Sequence, residues 1–534
     1  MRYDHLLHEL PQASAARNPN AIALRQGRSH WSYAETAETI GRVAAGLAVL
    51  GVGKQERLAI YLPKTLENVA AMFGASAAGA IFVPINPLLK PPQVVHILRD
   101  CDVRALVTTK DRFADLEPHL VDCRALQAVI LTDSDAADYA SISSRKNIVS
   151  WQDLISAPGR ADATRRIIDS DIAAILYTSG STGKPKGVVL SQRNMVAGAE
   201  SVADYLGNTP DDRILAVLPF SFDYGFSQLS TAFSTGAEAV LLEYLLPRDV
   251  IRAIERHEIT GLAGVPPLWI QLAQVPWPTK VTEHLRYVTN SGGRMPRTTL
   301  TRLREFLPKT SVYLMYGLTE AFRSTYLPPE ELDRRPDSIG KAIPNAEILV
   351  VREDGTPCSP DEPGELVHRG ALVALGYWNN GAATAERFRP VPNHSAGLQL
   401  PEIAVFSGDT VRRDAEGYLY FVARRDEMIK TSGYRVSPAE VEEALYETGL
   451  VSEVVALGVA HPQLGQAIAV AVVAAGELRP DTSELIAECQ RRLPTYMVPA
   501  HVEWRASLPR NPNGKLNRQL LAQELKNLFG DVES

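Results

Sequence analysis

Between Arg57 and Gly317 short apolar runs alternate with helical patterns, and this rhythm limits the possible folds more than any other feature of the chain. "RLAIYLP" reads as a buried strand, "LENVAAMFGASAAGA" as a helix and "IFVPIN" as the next strand. "PPQVVHILRDC" is helical and "RALVTT" extended; "RILAVLP", "AEAVLLE", "ITGLAGVP", "LRYVTNSG" and "SVYLMYG" continue the series. Apolar runs without polar alternation are covered on both faces, which is the signature of parallel sheets flanked by helices. After about residue 340 the rhythm changes. "AEILVVREDG", "GELVHRG" and "GYLYFVARRD" are strands joined by turns such as Asp354-Gly355 and Glu416-Gly417, so a β-rich subdomain is expected. After "RRDEMIK" the pattern resets. Ser437 is placed as a helix N-cap before Pro438, and two strands and another helix follow in a small α+β module.

The 534 residues are too many for one core, so at least two domains are expected. A formal charge of −7 offers no electrostatic case for nucleic acid. Cys101, Cys123, Cys358 and Cys489 lie far apart and form no CxxC pair, which predicts reduced thiols in a cytosolic protein. The N-terminal stretch carries acids and histidines and does not read as a signal peptide. No apolar run reaches the length of a membrane-spanning helix.

"YTSGSTGKPKG" (Tyr177–Gly187) lies between a buried strand and a second strand at "GVVL". Gly180 and Gly183 let successive backbone N–H groups turn into one concavity. Thr178, Ser179, Ser181 and Thr182 add hydroxyls, Lys184 and Lys186 add charge, and Pro185 stiffens the segment. The sum is a cradle for phosphate oxygens. It differs from the nucleotide P-loop, because two residues separate Gly180 from Gly183 and a proline follows Lys184.

This loop resembles the signature of the AMP-forming adenylating enzymes: acyl- and aryl-CoA synthetases, peptide-synthetase adenylation domains and luciferases. "MYGLTE" (Met315–Glu320), "SGDT" (Ser407–Thr410), "RRDEMIKTSGYRVSPAEVE" (Arg424–Glu442) and "NPNGKLNR" (Asn511–Arg518) follow in the family's order across almost the whole chain. The resemblance implies a reaction of carboxylate with ATP to give acyl-AMP and pyrophosphate, then displacement of AMP by a thiol. It implies an N-terminal region, residues 1–425, that binds ATP and acid, and a mobile C-terminal domain, residues 426–534.

Residue by residue, the resemblance implies the following. Thr178, Ser179, Gly180, Ser181, Thr182, Gly183, Lys184 and Lys186 would hold the β- and γ-phosphates, with Thr178 and Lys186 also catalytic. Glu320 would be catalytic and bind Mg²⁺, and Thr319 would contact the α-phosphate. Tyr316 and Gly317 would lie against the adenine, with Ser291, Gly292 and Gly293 on its other face. Asp409 would accept the ribose hydroxyls and Arg424 would reach the ribose or phosphates. Asp426 would be the hinge and Gly433 would face the incoming thiol. Lys515 would be the catalytic lysine of adenylation. Ala423 before Arg424 is a mild departure from the family's more common glycine.

Phe222, Asp223, Asn290, Met315 and Arg323 fall where the family lines its acid pocket. Phe222 takes the aromatic gate. Asp223 stands where amino-acid-activating members bind the α-ammonium, and Arg323 would suit a carboxylate or other acceptor. The two could equally pair with each other. The run from "MYGLTEAFRSTYLPPEE" to "RRDEMIKTSGYRVSP" most resembles the acyl-CoA ligases associated with the exosortase A system. That implies an acyl or peptidyl carrier protein as partner, with free CoA as the alternative acceptor. The acid is expected to be an amino acid or polar carboxylate, with a fatty acid as the alternative.

Overall fold

The computed structural model describes all residues except 1–4, 135–145, 159–165, 179–184, 393–396, 398, 425–426, 432–433, 462–463, 477, 513 and 531–534. The apolar runs fold as read. Strands Arg57–Tyr61, Ile81–Pro84, Ala105–Thr108, Ala128–Leu131 and Asn147–Ser150 pair in parallel, and Ile172–Thr178 joins them beside Ile81–Pro84. Lys186–Ser191 and Gly376–Tyr377 complete this sheet antiparallel.

A second, longer sheet has a parallel centre of Ile22–Gln26, Glu238–Leu241, Arg213–Ala216, Gly261–Gly264, Tyr287–Asn290 and Ser311–Tyr316. The β-rich segment does not stand apart. Thr325–Leu327 and Ser338–Ala342 bridge it edge to edge, so Leu419–Arg424, Ile403–Arg413, Gly364–Gly370 and Ala346–Val351 continue the same sheet antiparallel.

Helices Tyr33–Val49, Leu66–Ala77, Gln192–Leu206 and Asp223–Thr235 contribute to one core shared by the two sheets. Phe226 stacks on Phe82 at 5.4 Å and on Phe73 at 5.8 Å between ring centroids, joining a helix of one half to a strand and a helix of the other. Such aromatic pairs contribute about 0.5–1.5 kcal/mol beyond the area they bury.

From Ile429 onward the strands form a third sheet, built on the long hairpin Val451–His461 with Gly465–Ala474. Helices Pro438–Tyr446 and Thr482–Arg492 pack on it through Val441, Leu445, Leu485 and Cys489. Ser437 occupies the N-cap position, but its hydroxyl makes no cap hydrogen bond. It donates instead to the Val422 carbonyl of the strand Leu419–Arg424 over 2.5 Å.

Candidate active site

Thr178 and Lys186 face each other at the open end of the hairpin Ile172–Thr178 with Lys186–Ser191. The cradle residues Ser179, Gly180, Ser181, Thr182, Gly183 and Lys184 lie outside the described residues. The strand entering the cradle is tied down. The Tyr177 hydroxyl donates to Asp100 and lies 3.2 Å from Cys101 Sγ. Lys186 Nζ sits 5.6 Å from the Tyr377 ring, a cation–π distance.

Glu320 lies on a sharp reversal after the strand Ser311–Tyr316, where Ser324 N–H returns to the Tyr316 carbonyl. Phe322 turns the chain with φ 54°, rare for a bulky residue, and its ring packs on Gly198, where a Cβ would stand 2.3 Å from it. The reversal presents Glu320, whose Oε1 accepts a 2.5 Å hydrogen bond from the Tyr377 hydroxyl. Thr319 is buried beside it. Tyr377 was not singled out by sequence reasoning. Its "GYWN" context carries no spacing that points to a carboxylate, and only the pairing of Gly376–Tyr377 with Val188–Val189 brings it there.

Asp409 is buried on the strand Ile403–Arg413. Tyr316 hydroxyl donates to its Oδ2 over 2.5 Å, and Arg424 Nε stands 3.4 Å from Oδ1. Burial raises the Asp409 pKa and the Arg424 charge opposes it. Gly408, at φ 70°, sits so close to the Arg387 guanidinium that a Cβ would be 2.2 Å from it.

Ser291, Gly292 and Gly293 follow the strand Tyr287–Asn290. Asn290 Nδ2 donates to the Gly293 carbonyl, which holds this turn, while its buried Oδ1 has no partner among the described residues. Lys515 reaches the turn from the third sheet's side of the molecule. A Cβ on Gly292, at φ 80°, would stand 3.1 Å from Lys515 Cε, so this glycine makes room for the lysine. Lys515 Nζ lies 5.3 Å from the Phe222 ring. Burial and the Arg424 charge lower its pKa, while Asp223, Asp409 and Glu320 oppose the shift. One ammonium therefore feels the carboxylates of Asp223, Asp409 and Glu320 together. Asp426 and Gly433 lie outside the described residues.

Asp223 opens the helix Asp223–Thr235 and is 3% exposed; Arg323 is 2% exposed. They pair over 3.5 Å, and the Arg323 guanidinium lies 4.4 Å from the Tyr224 ring. Asp223 Oδ1 and Arg323 Nε and Nη2 have no partner among the described residues. Arg323 lines a cavity of about 30 Å³ with Tyr224, Gln228, Thr231, Thr289 and Met315. Burial raises the Asp223 pKa against the pull of Arg323.

Residues 11–378 match the AMP-binding enzyme family and residues 440–515 match its C-terminal domain. The chain belongs to the AMP-binding enzyme family. The relatives of this AMP-binding enzyme fall in the expected ligase class. It is 31% identical to the long-chain-fatty-acid–CoA ligase of Escherichia coli O157:H7, over 89% of this chain and 87% of that protein. It is 30% identical to feruloyl-CoA synthase of an Amycolatopsis species, over 97% and 98%. It also matches a linear gramicidin synthase of Brevibacillus parabrevis at 29% identity over 96% of this chain, which spans only 10% of that protein's length. Among solved structures, an anthranilate CoA ligase in complex with anthranoyl-AMP shares the fold at TM-score 0.86 and 24% identity, covering 98% and 97% of the two chains. The o-succinylbenzoate coenzyme A synthetase of Bacillus subtilis, in complex with ATP and magnesium ion, superposes at TM-score 0.78 and 28% identity, covering 97% and 99%.

The donor set fits a magnesium nucleotide. Mg²⁺ commonly takes one or two protein carboxylates, with phosphates and waters supplying the rest. Glu320, with its Oε1 held by the Tyr377 hydroxyl, offers one carboxylate of that kind.

Proposed function

We propose that this AMP-binding enzyme activates a carboxylic acid with ATP and passes the acyl group to a phosphopantetheine thiol. The observation that carries the reading is the seat of Lys515 against Gly292 and Phe222, within the electrostatic reach of Asp409, Glu320 and Asp223. In the first half-reaction a carboxylate oxygen attacks the α-phosphorus, a P–O bond forms, and the bond to pyrophosphate breaks with its electron pair leaving on pyrophosphate. The barrier is the approach of one anion to another, so fixed positive charge is the main catalytic need. Lys515 supplies it at the attacking carboxylate and α-phosphate. Thr178, Lys186 and the cradle hold the outgoing phosphates, and Asp409 accepts from the ribose hydroxyls. Glu320 would hold Mg²⁺, which neutralises phosphate charge when bound; the solved relative with ATP and magnesium supports this assignment. In the second half-reaction the thiol sulfur attacks the acyl carbon, the thiol proton passes to solvent, and the acyl C–O bond to AMP breaks as AMP departs with the electron pair.

For the acid, we favour an amino acid or other polar carboxylate. Two buried opposite charges, with three polar atoms unpartnered among the described residues, are costly without a ligand, because a buried unsatisfied group keeps its full desolvation penalty. A substrate ammonium beside Asp223 and an acceptor beside Arg323 would satisfy them. A carrier-protein thiol as acceptor is supported by the gramicidin synthase match and by the "NPNGKLNR" ending. The fatty acyl-CoA reading is favoured by the E. coli relative and by Val202, Leu206 and Ile214 along the same cavity. Residues 1–425 would form the ATP- and acid-binding part and 426–534 a mobile module hinged at Asp426, with Gly433 toward the thiol. Four buried free cysteines suit a reducing compartment such as the cytoplasm.

ATP–pyrophosphate exchange with a panel of acids tests the reading. Exchange with amino acids and silence with fatty acids is expected. The reverse pattern would establish the fatty acyl alternative, and silence with every acid would overturn the ligase assignment.

A further inference from the structure

Lys515 is presented on a tight turn in which Asn511 Oδ1 accepts from Lys515 N–H and Asn511 N–H donates to the Lys515 carbonyl. Those bonds close the turn on itself. Two contacts outside the reacting groups tie the turn and its module to the nucleotide-binding sheets. Asn86, just after the strand Ile81–Pro84, donates from Nδ2 to the Pro512 carbonyl over 2.7 Å. Its Oδ1 accepts from Leu88 N–H over 2.9 Å, which fixes the orientation of the amide and leaves the NH₂ for Pro512.

The second contact comes from the other sheet. Glu443, on the helix Pro438–Tyr446, places Oε1 3.2 Å from the backbone N of Arg297 at the start of the helix Arg297–Phe306. Its Oε2 stands 3.7 Å from Arg294 Nε. Arg294 directly follows the glycine pair beneath Lys515 and is itself braced by Asp337 at 2.7 Å, as is Arg297 at 3.0 Å. The Glu443 side chain is 12% exposed while Arg294 keeps 37% exposure, so the carboxylate approaches Arg294 and the Arg297 N–H from a largely covered side.

We propose that Asn86 and Glu443 are positioning residues that pin the Lys515 turn in the active site: Asn86 reaches it from one large sheet, and Glu443, on the module that carries Lys515, grips Arg294 and Arg297 beside the other. Neither touches a reacting atom. Their contacts exist only while the third sheet's module lies over the site, so they set how long Lys515 stays there. This rests on the adenylation role assigned to Lys515 above, but the placement of the lysine can be read without any activity.

The test uses the full chain and three variants: Asn86→Ala, Glu443→Ala and the conservative Glu443→Gln. Lysine-selective reductive methylation followed by mass spectrometry reads the accessibility of Lys515. Loss of a hydrogen bond to a charged or oriented group corresponds to about tenfold in an equilibrium. Both alanine variants are therefore expected to raise the Lys515 modification rate by up to about tenfold at unchanged rates for the other lysines. Glu443→Gln, which keeps an acceptor for Arg297 N–H, should fall between. Pyrophosphate exchange should drop in the same order, while acyl transfer from supplied acyl-AMP is retained. Wild-type modification rates at Lys515 in both alanine variants would overturn the proposal. So would equal losses of exchange and transfer with a lowered melting temperature, since that marks a structural role alone. Altered Lys515 labelling in an enzyme that exchanges no acid would leave the pins standing and count against the ligase reading.

Discussion

The Tyr377 hydroxyl donates to Glu320 Oε1 over 2.5 Å, so a strand of one large sheet aims the carboxylate presented by the other. If Glu320 holds Mg²⁺ as proposed, this donor gives its carboxylate a fixed direction. Tyr377→Phe removes the hydroxyl and keeps the ring that packs on Phe388. The magnesium concentration giving half-maximal exchange is expected to rise by about tenfold or more, the usual cost of losing a ligand's hydrogen-bond partner. A titration of exchange against MgCl₂ that superposes on wild type would refute this role.

Lys515→Ala removes the ammonium seated at Gly292. Pyrophosphate exchange should fall by about 10²–10³ or more, as for removal of a single transition-state donor. Transfer from preformed acyl-AMP should survive. Intact exchange in the variant would remove Lys515 from the mechanism.

Asp223 and Arg323 make a buried pair, and breaking it is expected to cost more than removing it. Asp223→Ala or Arg323→Ala alone should lower unfolding free energy by about 3–5 kcal/mol, because each leaves an uncompensated buried charge. The double variant Asp223→Leu with Arg323→Met should recover most of that loss. Urea unfolding of the four proteins decides it. Additive losses in the double variant would show that the charges are not coupled. The same double variant should lose exchange with polar acids.

Stability should fall in mild acid because two histidines are buried neutral. Burial holds His368 down to about 3 and His8 down to about 4, from an ordinary 6.5. The unfolded chain therefore binds protons that the folded chain refuses, and unfolding free energy rises with pH across this window. The contribution is complete above about pH 6.5 and is lost as pH falls toward 4 and then 3, at up to about 1.4 kcal/mol per pH unit for each ring. Melting curves between pH 4 and 7 should flatten in a His8→Asn/His368→Asn variant. An unchanged slope would show that other groups carry the acid response.

The strands and helices were legible because their signal is local. An apolar run such as "RLAIYLP" cannot be solvated on either face and must be covered on both, whatever its neighbours. The family membership was legible for another reason: Thr178, Glu320, Asp409 and Lys515 each sit in a short motif whose order along the chain is distinctive. Ser437 does take the N-cap position that its place before Pro438 suggests, but the strand Leu419–Arg424 packs close enough for its hydroxyl to donate to the Val422 carbonyl rather than to the helix.

Sequence by itself therefore determined the alternating architecture, the family resemblance and the identities of the groups that could carry the chemistry. Tertiary structure alone decided which of them meet. Tyr377 and Glu320 are far apart in sequence, as are Asn86 and Pro512, and each pair joins separate parts of the fold. Asp223 and Arg323 could each have faced a ligand or each other, and the fold brings them together with polar atoms to spare. Contacts of this kind depend on how sheets and helices pack in three dimensions, and no local pattern along the chain encodes that distance.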